Sequence, residues 1–185
     1  MKETPARSIH TSWILRGLGI LLLSFTFSAC ATGQLQDKNF HTEDTEFRID
    51  EEAQIADTEL NREVLDVLQK YRQALVRKDF GELTTMISED YYDNGSTTNT
   101  TRDDYGKAQI SEFFEMLANH AENIQYRVMV KRVVVNETEA FIDYEYRYAY
   151  QFKVGEEESW DAGVDVNRLE LKRNPNDQWQ IVSGL

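Results

Sequence analysis

The feature that most constrains the fold is an alternating pattern in residues 141–154, FIDYEYRYAYQFKV. Seven consecutive even positions carry an aromatic or aliphatic side chain: Ile142, Tyr144, Tyr146, Tyr148, Tyr150, Phe152 and Val154. Because successive side chains point to opposite faces of a strand, the pattern predicts a long strand with one apolar and one charged face. The phenol hydroxyls on the apolar face need hydrogen-bond partners, since an unpaired buried hydroxyl costs about 1–3 kcal/mol.

The first 29 residues have the composition of an export signal, so we exclude them from the folded domain. After a basic start, residues 17–27 form an apolar run, GLGILLLSFTF, which is too short to span a bilayer as a helix. The run ends in FSAC, which resembles the lipobox of bacterial lipoproteins, where the cysteine is acylated and becomes the mature N-terminus. The resemblance predicts a lipid anchor, with palmitate among its acyl chains, on Cys30. Ordinary signal cleavage after Ala31 is the alternative that stays open, because residues 29–31 also fit an A-x-A site.

Both forms of processing export the chain, and acylation would also attach it to a membrane. The residue after Cys30 is Ala31, whereas Asp at that place is the usual inner-membrane retention signal of Gram-negative lipoproteins. The resemblance therefore implies an outer-membrane lipoprotein that faces the periplasm. Cys30 is the chain's one cysteine, so the exported fold must be stable without an intrachain disulfide.

The net charge excludes some partners. Without residues 1–29, the chain has 17 Lys and Arg residues against 32 Asp and Glu residues, a net charge of −15. Repulsion from phosphate groups argues against nucleic acid and against electrostatic binding to anionic lipid headgroups. The only predicted contact with a membrane is the anchor on Cys30.

The rest of the chain divides into a tether and one domain. Residues 30–56 are polar and acidic without a sustained period, which predicts a lipidated N-terminus followed by a flexible acidic tether. Residues 57–185 have the length of a single domain. The spacing of their apolar residues predicts helices over about 58–77 and 107–121, with a short helix between them that begins at Asp79.

After residue 121, the apolar period changes from that of a helix to that of a strand. We predict an α+β fold, with about three N-terminal helices packed on a curved antiparallel sheet of about four strands. In residues 160–173, the apolar positions are first even and then odd, which predicts a bulge near Asn167 and Arg168. This interpretation puts Trp160 on the tyrosine face and sends Asp161 and Asp165 to the opposite face.

Three segments together resemble the NTF2-like (SnoaL-like) superfamily, in which helices and a bent sheet form a cone. They are residues 71–96 (YRQALVRKDFGELTTMISEDYYDNGS), 160–173 (WDAGVDVNRLELKR) and 176–185 (NDQWQIVSGL). The resemblance implies an NTF2-like domain over residues 57–185. That superfamily includes isomerases, hydratases and members without chemistry, so the fold does not give the function.

The steroid-isomerase branch of the superfamily uses a tyrosine of the first helix and a carboxylate in the loop after the second helix. Tyr71 matches the first position, but the second falls near Gly95, two residues after Asp93. The resemblance therefore implies, as an alternative function, a cofactor-free isomerase or hydratase in which Tyr71 acts with Asp90 or Asp93 as base.

Residue counts argue against several other mechanisms. Outside the signal, the histidines are His41 in the tether and His120 at the end of a helix, and no Cys/His cluster that could hold zinc is present. The chain has no G-x-S-x-G motif and no glycine-rich phosphate loop. His120 is a weak catalytic candidate, and we expect neither a metal nor a cofactor.

The tyrosines have two interpretations that the sequence leaves open: an aromatic core around a small water-filled cavity, or the wall of a ligand pocket. The candidate lining residues are Tyr71, Tyr91, Tyr92, Tyr144, Tyr146, Tyr148, Tyr150 and Trp160. The function we favour is a non-enzymatic module that binds a small apolar ligand or a partner protein. The charged outer face of the sheet is a candidate surface for a homodimer.

Overall fold

The structure, a computed structural model, describes residues 33–40, 44–95 and 101–185. The predicted signal peptide, Cys30 and both cleavage sites lie outside these residues, as does His41. In the described ranges, no helix has the length and apolar character needed to cross a bilayer.

Four helices lie in the described ranges: α1 (Asp37–Phe40), α2 (Glu59–Arg77), α3 (Phe80–Met86) and α4 (Lys107–His120). The strands are β1 (Phe47–Ile49), β2 (Tyr92–Asp93), β3 (Tyr105–Gly106), β4 (Ala121–Val135), β5 (Glu139–Val154), β6 (Glu157–Arg173) and β7 (Trp179–Ser183). The predicted order, with helices before a run of long strands, is confirmed.

The fold is α+β with a curved sheet, as predicted, but the sheet has more strands than expected. Its order is β1-β4-β5-β6-β7, and β1 adds to the edge of β4 in parallel while the other pairs are antiparallel. β2 and β3 form a separate two-stranded sheet. The three central strands are 15, 16 and 17 residues long, so the sheet extends well beyond the helices that cover it.

The helices cover the inner face of the sheet, which is the face that carries the even residues of β5. Helix α2 begins where the Thr58 hydroxyl accepts a hydrogen bond from the Asn61 amide, and it ends at Lys78 in the left-handed conformation. Its buried stripe packs against β4, and the buried stripe of α4 packs against β4 and β5. The core therefore lies between these helices and the first half of the tyrosine strand.

The prediction of a flexible tether over residues 30–56 is wrong for the part that the structure describes. Leu35, Phe47, Ile49 and Ile55 are buried in the core. The backbone of this segment is also paired, since β1 is hydrogen-bonded along β4 and the Leu35 amide donates to the Ile55 carbonyl at 2.8 Å. The segment therefore belongs to the domain.

A buried ion pair attaches this segment to α2. Arg72 is only 8% exposed, and its guanidinium donates to the Asp44 carboxylate and, at 3.1 Å, to the Tyr126 carbonyl oxygen. Burial by itself would raise the pKa of Asp44, but the hydrogen bond and the charge of Arg72 outweigh it and lower that pKa below its usual value. No single element of residues 33–56 exceeds four residues, which is too short to show a period in the sequence.

The predicted bulge near Asn167 and Arg168 is also wrong. The pairing of β5 with β6 is continuous from Glu139 opposite Lys172 to Val154 opposite Glu157. Register shifts occur elsewhere, between Val130 and Arg132 of β4 and between Glu170 and Leu171 where β6 pairs with β7.

The β5–β6 turn sets this register. It contains two residues, Gly155 and Glu156, and Gly155 has a φ of +68°, a left-handed conformation that suits glycine in a tight hairpin. A two-residue turn pairs even residues of β5 with odd residues of β6. A five-residue turn over residues 155–159 would have paired even with even, which is the arrangement expected if Trp160 lay on the tyrosine face.

The consequence is that the two faces of β6 are exchanged relative to the prediction. Asp161 pairs with Tyr150 and Asp165 with Tyr146, so both acids lie on the inner face. The even residues lie on the outer face, where Trp160, Val164 and Val166 are 52%, 60% and 72% exposed.

We expect Asp44→Asn to destabilise the domain by about 3 kcal/mol, because it leaves the buried Arg72 guanidinium without its counter-charge. The matched control is Asp66→Asn, which breaks an exposed pair with Lys70 and should cost less than about 1 kcal/mol. Urea unfolding of the two variants at neutral pH measures the difference. Equal, small effects would mean that residues 33–56 do not stabilise the domain.

The same pair should contribute a pH dependence at acidic pH. Since the pKa of Asp44 is lower in the folded state than its ordinary value of 3.8, its contribution is present above that value and is lost as the pH falls through the folded-state pKa. The stability gap between the wild-type protein and Asp44→Asn should therefore shrink below about pH 4.

Candidate functional site

A cavity of about 500 Å³ lies between the inner face of the sheet and helices α2 and α4. Its volume is within the range that holds small ligands. The described lining residues are Tyr71, Tyr105, Gln109, Ile110, Phe113, Met116, Leu117, Tyr126, Tyr144, Tyr146, Tyr148, Tyr150, Phe152, Asp161, Asn167 and Leu185.

One wall of the cavity is the tyrosine ladder, which we define as Tyr144, Tyr146, Tyr148 and Tyr150. Successive ring centroids along it are 5.8, 6.1 and 5.2 Å apart, and the last two pairs are stacked. Tyr144 is fully buried, whereas Tyr146, Tyr148 and Tyr150 are partly buried. The ladder therefore runs from the core to the mouth of the cavity.

The closed end of the cavity is formed by Tyr71 of α2 and Tyr126 of β4. Their rings meet edge to face at 6.2 Å, and the Tyr126 ring stacks on Tyr146 at 5.2 Å. Tyr71 lies within the buried stripe of α2, which is why a helix position reaches the same cavity as the strand. A helix tyrosine and the strand tyrosines thus share one enclosed space.

The phenols at the closed end are neutral at physiological pH. Burial is the largest factor that raises the pKa values of Tyr71, Tyr126 and Tyr144 above the ordinary phenol value. The buried hydroxyls of Tyr126 and Tyr144 are hydrogen-bonded to each other, which gives each of them a partner. These groups can donate and accept hydrogen bonds, but they do not supply a phenolate.

The mouth of the cavity lies between α4 and β6. Phe113 and Met116 of α4 form one side, and Asp161 of β6 forms part of the other. Between Asp161 and Asp165 lies Gly163, and a Cβ placed there would meet the Tyr148 ring at 2.9 Å. Glycine at this position therefore lets the Tyr148 ring lie close over the β6 backbone.

The predicted catalytic residues do not meet in this cavity. Asp93 lies outside the lining, where its carboxylate accepts hydrogen bonds from the Gly184 amide at 2.8 Å and from the Ser183 hydroxyl at 3.3 Å. Asp90 is exposed and lines a different, shallow cleft beside Arg173. His120 is exposed at the end of α4. Of the four weak catalytic candidates, only Tyr71 lines the cavity.

Two of the predicted lining residues are placed elsewhere. Trp160 lies on the outer face, because the tight turn pairs it with Gln151. Tyr92 is exposed, and its hydroxyl donates to the Asp104 carboxylate. Both positions correct the prediction from strand parity.

Tyr91 is buried but supports the cavity from behind. Its hydroxyl accepts a hydrogen bond from the Leu185 amide at 3.1 Å, and the Tyr105 hydroxyl donates to the Leu185 main-chain oxygen at 2.6 Å. Together, Tyr91 and Tyr105 hold Leu185 where its side chain reaches the lining. Tyr91 thus has a structural contact in place of the predicted pocket contact.

Sequence reasoning did not assign several lining residues to the pocket, most importantly Tyr126 and Asp161. Tyr126 was detectable, since it alternates in β4 with the same apolar parity as the ladder. Asp161 required the length of the β5–β6 turn. No group of three or more His, Cys, Asp or Glu residues within the described ranges is placed to hold a metal ion.

The comparisons with known proteins agree with this fold. No protein-family profile matches the chain, and no curated protein is significantly similar in sequence. Among solved structures, similar chains include a candidate dehydratase of the NTF2-like family from Streptomyces avermitilis, with 15% identity and a TM-score of 0.54, covering 67% of this chain and 92% of that one. A ketosteroid isomerase-like protein from Erwinia carotovora atroseptica has 17% identity and a TM-score of 0.53, covering 68% and 92%.

A conserved protein from Planctomyces limnophilus is also similar, with 14% identity and a TM-score of 0.56, covering 67% of this chain and 91% of that one. At such low identity these likenesses establish the fold, which is NTF2-like, and they do not transfer an activity.

The raised tyrosine pKa values predict a loss of stability at alkaline pH. Because the folded-state pKa values of the buried phenols exceed the ordinary value of 10.0, their contribution is complete below that value and is lost as the pH rises through the folded-state values. We expect an ultraviolet titration in which these phenols ionise only as native circular dichroism disappears. Ionisation of all nine tyrosines near pH 10 in a protein that stays folded would contradict the enclosed cavity.

Proposed function

We propose that this protein is an exported, lipid-anchored binding module whose NTF2-like domain holds a small, largely apolar ligand in the tyrosine-lined cavity. The observation that carries the proposal is the cavity itself: about 500 Å³, with nine aromatic rings among its lining residues and a few polar groups around them. Cavities with this composition are typical of small-molecule sites, because burial gives affinity and the polar groups give orientation.

Among the residues that the structure describes, neither predicted base meets Tyr71 in the cavity, which favours binding over chemistry. A general base must come within hydrogen-bond reach of the proton that it removes, and neither Asp90 nor Asp93 lines the cavity. The Oδ2 atom of Asp93 accepts hydrogen bonds from the Ser183 hydroxyl and the Gly184 amide. Its Oδ1 atom accepts one from the Gly95 amide, so both oxygens have structural contacts. The proposal therefore assigns no catalytic role to these two acids.

The anchor on Cys30 and the outer-membrane location are part of the same proposal. They are supported by the FSAC sequence and by Ala31 after the cysteine. Only four residues separate Cys30 from Leu35, which is buried in the core. An anchor at Cys30 would therefore connect to the domain through a short linker.

Mass spectrometry of the full chain purified from its host membranes tests both parts of the proposal. We expect the denatured chain to have the mass of an acylated protein that begins at Cys30, and the native protein to carry a small molecule. An unmodified chain that begins at residue 32 would contradict the anchor, and an empty native protein would contradict ligand binding.

A pair of tryptophan variants locates the bound molecule. Met116→Trp should fill the mouth of the cavity and weaken the affinity for the ligand about tenfold, which corresponds to about 1.4 kcal/mol, so less ligand co-purifies. The control, Val76→Trp, makes the same kind of change at a helix position of equal exposure, 36% against 37%, outside the lining. Equal loss in both variants would place the ligand elsewhere.

The alternative is a cofactor-free isomerase or hydratase, and one observation favours it. Asp161 lines the mouth, which puts one carboxylate on the same cavity as the phenols of Tyr71 and Tyr150. Two of the similar structures are named as a dehydratase and as isomerase-like. In this alternative Asp161, rather than Asp90 or Asp93, would be the base.

Hydrogen exchange into the co-purified ligand separates the two functions. The binding module predicts no protein-dependent incorporation of deuterium at ligand carbon atoms in D₂O. The enzyme predicts incorporation that is lost in Asp161→Asn and kept in Glu145→Gln, a variant with the same charge change on the outer face.

The homodimer through the outer face stays a prediction.

A further inference from the structure

The charged side chains of the cavity and its rim, Asp161 and Asp165, are both acidic. Among its described lining residues, Asp161 is the one acid, and none is Lys, Arg or His. Asp165 lies four residues further along the same face of β6, opposite Tyr146. Both side chains are exposed, so the cavity opens toward acidic residues.

Two basic side chains of the elements that surround the cavity, Arg168 of β6 and Lys107 of α4, are engaged elsewhere. Arg168 lies on the outer face and donates to the Asp143 carboxylate at 2.6 Å. Lys107, at the start of α4, donates to the Ile87 carbonyl at 3.1 Å and to the Glu89 carboxylate at 2.6 Å. Asp161 and Asp165 have no ion pair among the described residues, so a ligand is free to neutralise them.

The aromatic wall adds a second attraction for positive charge. The face of a phenol ring is negative, and a cation within about 6 Å of the ring centroid is attracted to it. Tyr148 is stacked between Tyr146 and Tyr150, at 6.1 and 5.2 Å, so its two faces are covered. Tyr150, which pairs with Asp161, stacks on one neighbour only and is tilted by 58° to Phe152, so its outer face is the one that a cation can reach. Gly163 lets the Tyr148 ring lie over β6 between the two carboxylates, so ring and acids face the same space.

We infer that the ligand of this cavity is an organic cation: an ammonium group that meets Asp161 and the ring of Tyr150, carried by an apolar body that extends toward Tyr71. The inference rests on the proposed binding function and names the chemical class of its ligand. An anionic ligand would face uncompensated carboxylates, and its charge would lose hydration without gaining a basic partner.

Three probes of nearly equal shape test the inference on the full chain in nonionic detergent. The cation is 4-(trimethylammonio)phenol, its neutral isostere is 4-tert-butylphenol, and the anion is 4-hydroxybenzenesulfonate. The first two differ only in whether the quaternary atom is nitrogen or carbon. Isothermal titration calorimetry, with a blank of detergent alone, gives the affinity for each probe.

We expect the cation to bind at least about tenfold more tightly than the neutral isostere, and the anion to bind least. Equal or tighter binding of the neutral probe would overturn the inference and leave the apolar binding function standing. Failure of both the cation and the neutral probe to bind would overturn the inference and the binding function together.

Two variants assign the effect to the rim. Asp161→Asn should lower the affinity for the cation about tenfold and leave the neutral probe unchanged, while Glu145→Gln should change neither. Cation binding that is unaffected in Asp161→Asn would overturn the assignment. A measurement on the wild-type protein does not depend on any variant: raising the salt concentration should weaken binding of the cation and leave the neutral probe unchanged.

Discussion

The two-residue turn at Gly155 and Glu156 fixes the arrangement on which the rest of the site depends. It pairs even residues of β5 with odd residues of β6 over the whole length of both strands. This one register places the tyrosine ladder and Asp161 on the same face, sets Gly163 under the Tyr148 ring, and leaves Trp160 outside. A slip of one residue would turn every side chain of β6 to the other face. The strand register therefore determines which residues of β6 line the cavity.

Burial along the ladder explains why tyrosine occupies positions that leucine or valine could fill. At the closed end, the rings of Tyr71, Tyr126 and Tyr144 are buried, and their phenols stay neutral. The hydroxyls of Tyr126 and Tyr144 are hydrogen-bonded to each other. Toward the mouth the rings are partly buried and line the cavity. One strand therefore passes from the core to the wall of the cavity without a change in its sequence pattern.

The fold was predictable because its elements are long. The periods of α2, α4, β4 and β5 each extend over many residues, and they predicted the order of elements and the inner face of β5. The elements of residues 33–56 were missed because each is at most four residues long and is stabilised by tertiary contacts such as the pair of Arg72 with Asp44. The inner face of β6 was predicted wrongly because Trp160, Val164 and Val166 on its outer face form the alternating apolar pattern that is typical of a buried face.

The site was only partly predictable, because local sequence patterns locate some of its residues and long-range contacts locate the others. Strand parity found the ladder, and helical spacing found Tyr71, since both depend on local sequence. The position of Asp161 depends on a turn of two rather than five residues, a difference that sequence composition between Gly155 and Ser159 did not reveal. Asp93 was close to the expected catalytic position, but its contacts with the last strand involve residues about 90 positions away.

The most direct test of the account is the cross-strand contact between Tyr148 and Gly163, measured by nuclear Overhauser effects on the folded domain. The register described here predicts strong contacts between the Tyr148 ring protons and the Gly163 α-protons, with the latter shifted upfield by the ring current. Contacts of that ring with the side chains of Ala162 or Val164 instead would mean that β6 is slipped by one residue. In that case Asp161 would face outward, and the cavity described here would not exist.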